Sequence, residues 1–163
     1  MNHPLVAQCR IDTPLGPLAL RATAQGLAAA LFDDQQHHLG EVDVPMAPQH
    51  PHLAQAAREF AAYFAGTGRG FTVPLDAAGT PFQRRVWQAL LAIPHGALET
   101  YGEVAQRVGQ PGAARAVGAA IGRNPISIAV PCHRVIGRDG SLTGYAGGLA
   151  RKQALLKHEA ALP

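Results

Sequence analysis

Cys132 sits in Val130-Pro131-Cys132-His133-Arg134-Val135, between the apolar run Ile126–Val130 and a glycine-rich segment from Gly137 to Gly148. The thiolate is the nucleophilic form of cysteine, and neighbouring cations lower its pKa from about 8.5. His133 and Arg134 are the candidates for that effect. The β-like character of residues 126–130 implies a cysteine delivered from the end of a buried strand and held in a fixed place. Most buried cysteines are inert and pack as small hydrophobes, so the case for chemistry rests on what surrounds this one. Asn124, just before the apolar run, can hydrogen-bond backbone on both of its sides. Tyr145 lies in the glycine-rich segment, where it can wall a pocket. Arg115 projects from an otherwise small-residue stretch, Ala113, Ala114 and Gly118, whose bare face can approach another backbone closely.

The elements that position these groups fall into two sets. Residues 5–12 alternate weakly and read as a first strand, and Thr13-Pro14-Leu15-Gly16-Pro17 is a turn signal. Leu18 to Ala22 and Leu27 to Phe32 flank Thr23-Ala24-Gln25-Gly26 and read as a hairpin. Asp33 to Pro51 is polar and contains proline, hence a surface loop. His37-His38 and His50-x-His52 within it, even with Cys9, make no convincing four-ligand metal set. From His52 to Ala65, Leu53, Ala56, Ala57, Phe60 and Phe64 recur at helical spacing. That helix is expected to cover one face of the hairpin sheet. Phe71 to Leu75 is expected to add a strand, and Ala77-Ala78-Gly79 to mark a boundary between domains 1–78 and 79–163.

The second half opens on Thr80-Pro81 with Gln83 three residues on, a capping-box start. Phe82, Val86, Leu90 and Ile93 then line one helix face, with Trp87 and Leu91 beside it. Thr100 and Glu103 repeat the spacing and start a short helix to Val108. After Gly109-Gln110-Pro111-Gly112 a third helix runs from Ala113 to Gly122, and a last one from Leu149 to His158. Two short helices joined by a glycine turn have the form of a helix-turn-helix. The fold class is therefore α+β, a small sheet domain with a covering helix followed by a mainly helical domain that carries the cysteine.

Composition sets bounds. The chain has 163 residues, 47% of them hydrophobic, without an apolar run near the ~20 residues that cross a bilayer. Its N-terminus lacks the layout of a signal peptide. Cys9 and Cys132 are far apart, so a reducing cytoplasm suits them better than a disulfide. The net charge of +3 divides into −3 over residues 1–80 and +6 over residues 81–163. A basic half that carries the reactive cysteine favours a polyanionic partner.

Ala114-Arg115-Ala116-Val117-Gly118, Arg123-Asn124-Pro125, Val130 to Arg134, Gly144 to Leu149 and Lys157-His158-Glu159 resemble the O6-alkylguanine–DNA alkyltransferases, also called methylated-DNA–protein-cysteine methyltransferases. Phe82 to Trp87 and Thr100 to Glu103 also fit, and the first half matches more loosely. The resemblance implies a ribonuclease-H-like N-terminal domain and a winged-helix domain whose helix-turn-helix enters the minor groove. It implies direct-reversal repair in which the alkyl group of O6-alkylguanine in duplex DNA moves irreversibly to Cys132, once per molecule. Glu159 would hold His133, and His133 would take the Cys132 proton through a water. Tyr101 would donate to ring N3 and the Ala146 N–H to O6. The carbonyls of Cys132 and Val135 would accept from the exocyclic amine, Asn124 would act at the hinge, and Arg115 would fill the space of the flipped base. Ala146 stands where many relatives have serine, which removes a hydroxyl but keeps the N–H.

No cofactor is implied, no metal and no membrane. The partner is double-stranded DNA carrying O6-alkylguanine, and the protein is expected to be a cytoplasmic monomer. Acceptance of O4-alkylthymine and cooperative binding to DNA stay open at this level. Two other classes also stay open. A cysteine hydrolase would turn over many times, although residues adjacent in a strand face opposite ways and pair poorly. A binding module for alkylated DNA would not need Cys132.

Overall fold

The computed structural model describes residues 2–162. Strands β1 (Leu5–Ile11), β2 (Leu18–Thr23) and β3 (Leu27–Phe32) form an antiparallel sheet in that order, with Cys9 opposite Leu20 and Arg21 opposite Ala29. Helix α1 (Pro51–Ala65) packs across all three strands. His50 caps it by accepting from the His52 N–H, and Gly66, in the left-handed region at φ 77°, stops it. Its fully buried residues are Leu53, Ala56, Phe60 and Tyr63; the expected Ala57 and Phe64 are half-buried, Phe64 packing against the core, and Tyr63 joins the stripe unexpectedly. The reason lies in the partner: Tyr63 turns its hydroxyl to a buried carboxylate, which Phe64 cannot serve.

Every residue of β3 is buried, because the helical half covers what α1 leaves open. The Ala30 N–H donates to the Pro125 carbonyl at 2.9 Å, and the Ser127 N–H donates back to the Ala30 carbonyl at 3.0 Å. The segment ahead of the cysteine is thus hydrogen-bonded to the sheet. That segment is a turn and not the expected strand. Val130 N–H reaches Ile126 O at 3.1 Å, and Ile128 takes φ 72°. A positive φ at a β-branched residue ends strand alternation. The expected strand at 71–75 is also absent. Leu27 and Leu75 make an isolated bridge, and Pro74, beside it, has no N–H to extend a ladder.

Helices α2 (Pro81–Leu90), α3 (Tyr101–Arg107) and α4 (Ala114–Gly122) pack on one another. Both capping boxes form, Thr80 with Gln83 and Thr100 with Glu103. Trp87 pins α2 to α4 through Nε1–H to the Ala120 carbonyl at 2.8 Å. Leu91, expected beside the inner face, is 41% exposed because α2 ends at Leu90. Two-residue strands β4 (Glu99–Thr100) and β5 (Val135–Ile136) pair in parallel and tie the start of α3 to the segment after the cysteine. Helix α5 (Leu149–His158) closes the chain.

One side chain of α5 spans both halves. Arg151 donates to the Leu15 carbonyl at 2.9 Å, to Asp34 at 2.6 Å and to the Gly147 carbonyl at 3.0 Å, with its guanidinium 4.2 Å from the centre of the Phe32 ring. Asp34 is largely exposed, so that ion pair adds little; the two carbonyl bonds carry most of the effect. We expect Arg151→Met to lower unfolding stability by about 1–2 kcal/mol in urea titrations, the scale of one or two net hydrogen bonds. Amide exchange should quicken in residues 144–148.

Candidate active site

Pro131 ends the buried turn, and Cys132, His133 and Arg134 follow as one turn of 3-10 helix. This short turn, and not a strand, lets Cys132 meet Asn124 while His133 and Arg134 both reach Glu159. Cys132 Sγ receives the Asn124 amide N–H at 3.2 Å. The same amide nitrogen donates to the carbonyls of Ile126 at 3.2 Å and Val130 at 3.0 Å, while Asn124 Oδ1 accepts the Ile126 N–H at 2.9 Å. Asn124 therefore fixes both ends of the turn and touches the sulfur.

His133 is wholly buried and points to Glu159, with Nε2 to Oε2 at 2.8 Å. Arg134 donates to the same carboxylate through Nε at 2.8 Å and a terminal nitrogen at 3.1 Å, and Tyr63 Oη adds a bond at 2.5 Å. Burial would raise the Glu159 pKa, but the bonds from His133, Arg134 and Tyr63 outweigh it and hold the carboxyl well below the usual carboxylate range. With Glu159 ionised, His133 Nε2 must carry the proton that bonds it. Nδ1 then offers a lone pair, and among the described residues it has no hydrogen-bond partner. Burial also lowers the His133 pKa, opposed by the bond to Glu159 and its charge.

The expectation that His133 and Arg134 depress the thiol pKa is not met. Burial pushes the Cys132 pKa up, and the main opposing influences are the Asn124 N–H and the charge of Lys152. Arg134 is spent on Glu159. Lys152 is fully buried, donates to the carbonyls of Val135 at 2.6 Å and Thr143 at 3.0 Å, and has its own pKa lowered by burial to about 8. Lys152, Leu155, Leu156 and Glu159 share the i, i+3, i+4, i+7 spacing of one helix face. That spacing marks Lys152 from sequence as a lysine in the core.

A cavity of about 530 Å³ adjoins this centre. Its walls include Tyr101, Ala114, Arg115, Gly118, Tyr145 and Ala146, which brings three scattered segments of the sequence together. Gln36 and His37 of the long N-terminal loop also line it, and no sequence pattern points to them. The Gln36 N–H donates to the Ala146 carbonyl at 2.8 Å and so ties this loop to the cavity wall. Cys132 is 5% exposed and is not a wall residue. Tyr145, which is, lies close enough for the Cys132 charge to help raise its hydroxyl pKa, after burial itself. Arg115 is exposed on α4, whose first turn has no side-chain cap at Ala113. A Cβ on Gly118 would lie 3.8 Å from the Tyr101 ring, an ordinary contact distance, so α4 faces Tyr101 here across the cavity wall.

Residues 10–77 match the ribonuclease-like domain, and residues 81–161 the DNA-binding domain, of 6-O-methylguanine DNA methyltransferase. The chain is 51% identical over 152 residues to the methylated-DNA–protein-cysteine methyltransferase of Mycobacterium leprae, covering 93% of this chain and 91% of that one. The chain belongs to this family. The Salmonella typhimurium member is 48% identical over 159 residues, with 92% and 93% covered. Among solved structures, Mycobacterium tuberculosis OGT in complex with DNA superposes with a TM-score of 0.86 at 47% identity, covering 96% of this chain and 94% of that one. The methyltransferase fold, a ribonuclease-like domain followed by a mainly helical DNA-binding domain, is the architecture described above. No helix among the described residues is long and apolar enough to cross a membrane.

Glu159→Gln would leave the buried Arg134 guanidinium without its counter-charge. Removing one partner of a buried pair costs roughly 3–5 kcal/mol. The depressed Glu159 pKa adds a pH signature. Its contribution is complete above the unfolded value of 4.5 and is lost as pH falls towards the lower folded value. Urea unfolding from pH 7 to pH 3 should therefore show a shallower acid decline for Glu159→Gln than for wild type.

Proposed function

We propose that this methyltransferase repairs O6-alkylguanine in duplex DNA by taking the alkyl group onto Cys132, once per molecule. The observation that carries the reading is the joined arrangement of Asn124, Cys132, His133 and Glu159 beside a cavity walled by Tyr101, Arg115, Tyr145 and Ala146. A base inside the helix cannot present its O6 substituent to a buried sulfur, so the nucleotide must be flipped out. Helix α4 supplies the means: a small-residue face at Ala113, Ala114 and Gly118 for close approach, an uncapped N-terminus whose N–H groups suit phosphate, and Arg115 to occupy the gap.

In the chemical step His133 Nδ1 accepts the thiol proton, relayed by a water, and the sulfur attacks the alkyl carbon in line. The new C–S bond forms as the C–O6 bond breaks, and the electron pair passes into the guanine. Tyr101 donates to N3 and the Ala146 N–H to O6 as that charge develops. The carbonyls of Cys132 and Val135 already accept from the Val135 N–H and from Lys152, yet each retains a second lone pair for the exocyclic amine. The resulting thioether resists hydrolysis, so the site does not regenerate. The division near residue 78 separates a bracing domain from the reacting one, and the free thiols of Cys9 and Cys132 suit the cytoplasm.

Intact-mass analysis after incubation with O6-methylguanine duplex tests this directly. One added methyl should map to Cys132 and none to Cys9, with repaired DNA never exceeding one equivalent. Cys132→Ser should keep binding the alkylated duplex without transfer. Repeated turnover, or methylation of Cys9 alone, would overturn the proposal.

Arg115→Ala separates flipping from chemistry. Stacking in single-strand binders is worth about 1–3 kcal/mol per base, and about 1.4 kcal/mol is tenfold in rate. Single-turnover repair of duplex at saturating protein should slow by roughly one to two orders of magnitude. Reaction with free O6-benzylguanine should change far less, since nothing needs flipping. Equal loss on both substrates would place Arg115 in support of the fold or pocket.

A further inference from the structure

Thr143 is not among the residues that the family resemblance assigns, yet it touches the group that meets the departing base. Its Oγ1 lies 2.9 Å from Tyr101 Oη, in hydrogen-bond contact. Both residues line the cavity. The position of Thr143 is fixed from behind: Lys152 holds its carbonyl at 3.0 Å, and the same ammonium holds the Val135 carbonyl at 2.6 Å. Beside it, Thr143 Cγ2 lies 3.3 Å from where a Cβ on Gly137 would stand, so the side chain is packed against the glycine loop.

We propose that Thr143 is a positioning residue that orients the Tyr101 hydroxyl for donation to the purine. The inference rests on the alkyl-transfer reading above. A tyrosine hydroxyl has one proton and can accept at its oxygen. When Thr143 donates to that oxygen, the Tyr101 proton cannot point back at Thr143 and is directed into the cavity, where N3 of a bound guanine would lie. The donated bond also steadies negative charge that reaches the tyrosine oxygen as it gives its hydrogen bond to the leaving base. Thr143 thereby acts through Tyr101 and makes no contact with the alkyl group. Lys152 links this device to the nucleophile, since its charge is felt at Cys132 and its ammonium holds the backbone of Thr143.

The test is a double-mutant cycle in single-turnover alkylation by free O6-benzylguanine and by O6-methylguanine duplex, with alkylated Cys132 measured by mass. Thr143→Val keeps the shape and removes the hydroxyl, and Thr143→Ser restores it. Thr143→Val should slow both substrates by about tenfold, the scale of one hydrogen bond to a group that gains charge. Thr143→Ser should retain most of the wild-type rate. In a Tyr101→Phe background, Thr143→Val should have almost no further effect, because the group it orients is gone. An equal loss from Thr143→Val in both backgrounds would overturn the proposal and make Thr143 a packing residue. So would a full rate in Thr143→Val, or an unimpaired Tyr101→Phe. Failure of the wild-type protein to alkylate Cys132 at all would instead overturn the transfer reading on which the cycle depends.

Discussion

The structure depends on one buried carboxylate. Glu159 lies just past the end of α5 with a wholly buried side chain, and it accepts four hydrogen bonds from three side chains. An ionised carboxyl cannot be buried without such compensation, so its partners are held as tightly as it is. His133 and Arg134 fix the turn that bears Cys132. Tyr63 brings in α1, so the ribonuclease-like half braces a site whose chemistry lies in the other half. His158, one residue earlier, adds a contact to the Tyr63 carbonyl at 2.6 Å. The carboxylate that holds His133 is therefore also one of the groups that join the two halves.

Burying the nucleophile has an electrostatic consequence. Desolvation favours the neutral thiol, opposed by the Asn124 N–H and the charge of Lys152, while His133 is held by Glu159 with Nδ1 unpaired among the described residues. On the single-transfer reading proposed above, a resting thiol is a sensible state. A permanently exposed thiolate would be open to oxidation and to stray alkylating agents. The base pocket then supplies what the resting site withholds, because catalysis by hydrogen-bond donors acts where charge develops. Lys152 contributes to both sides, its charge acting on the sulfur while its hydrogen bonds shape the pocket wall.

Much of this was legible in the sequence because the signals were local. Thr80 with Gln83 and Thr100 with Glu103 start their helices as the capping rule requires, and Leu149 to His158 is a helix with the bounds expected. The turn before Cys132 was not legible. A short continuous apolar run reads alike whether it is a buried strand or a buried turn, and the positive φ of Ile128 leaves no mark in residue type. Between Tyr63 and Phe64, apolarity favours the phenylalanine, and only a carboxylate almost a hundred residues away decides for tyrosine. Gln36 and His37 reach the cavity through a polar loop that carries no periodicity. By contrast, Lys152 could have been found, since its spacing to Leu155, Leu156 and Glu159 already placed it on the inner face.

The N-terminal half does more than complete the fold, as its contacts with the reacting half show. β3 holds the turn before the cysteine through main-chain bonds at Ala30. Tyr63 holds Glu159, while Gln36 and Arg151 together hold the loop at Ala146 and Gly147. These contacts reach three separate parts of the site: the turn before Cys132, the carboxylate that holds His133, and the cavity wall at Ala146. None of them supplies a reacting atom. Transfer of an alkyl group needs sulfur, carbon and oxygen in line, and a small displacement of any one is costly in rate. A second domain that braces the protein side of that alignment from outside leaves the DNA-binding helices less of that precision to carry themselves.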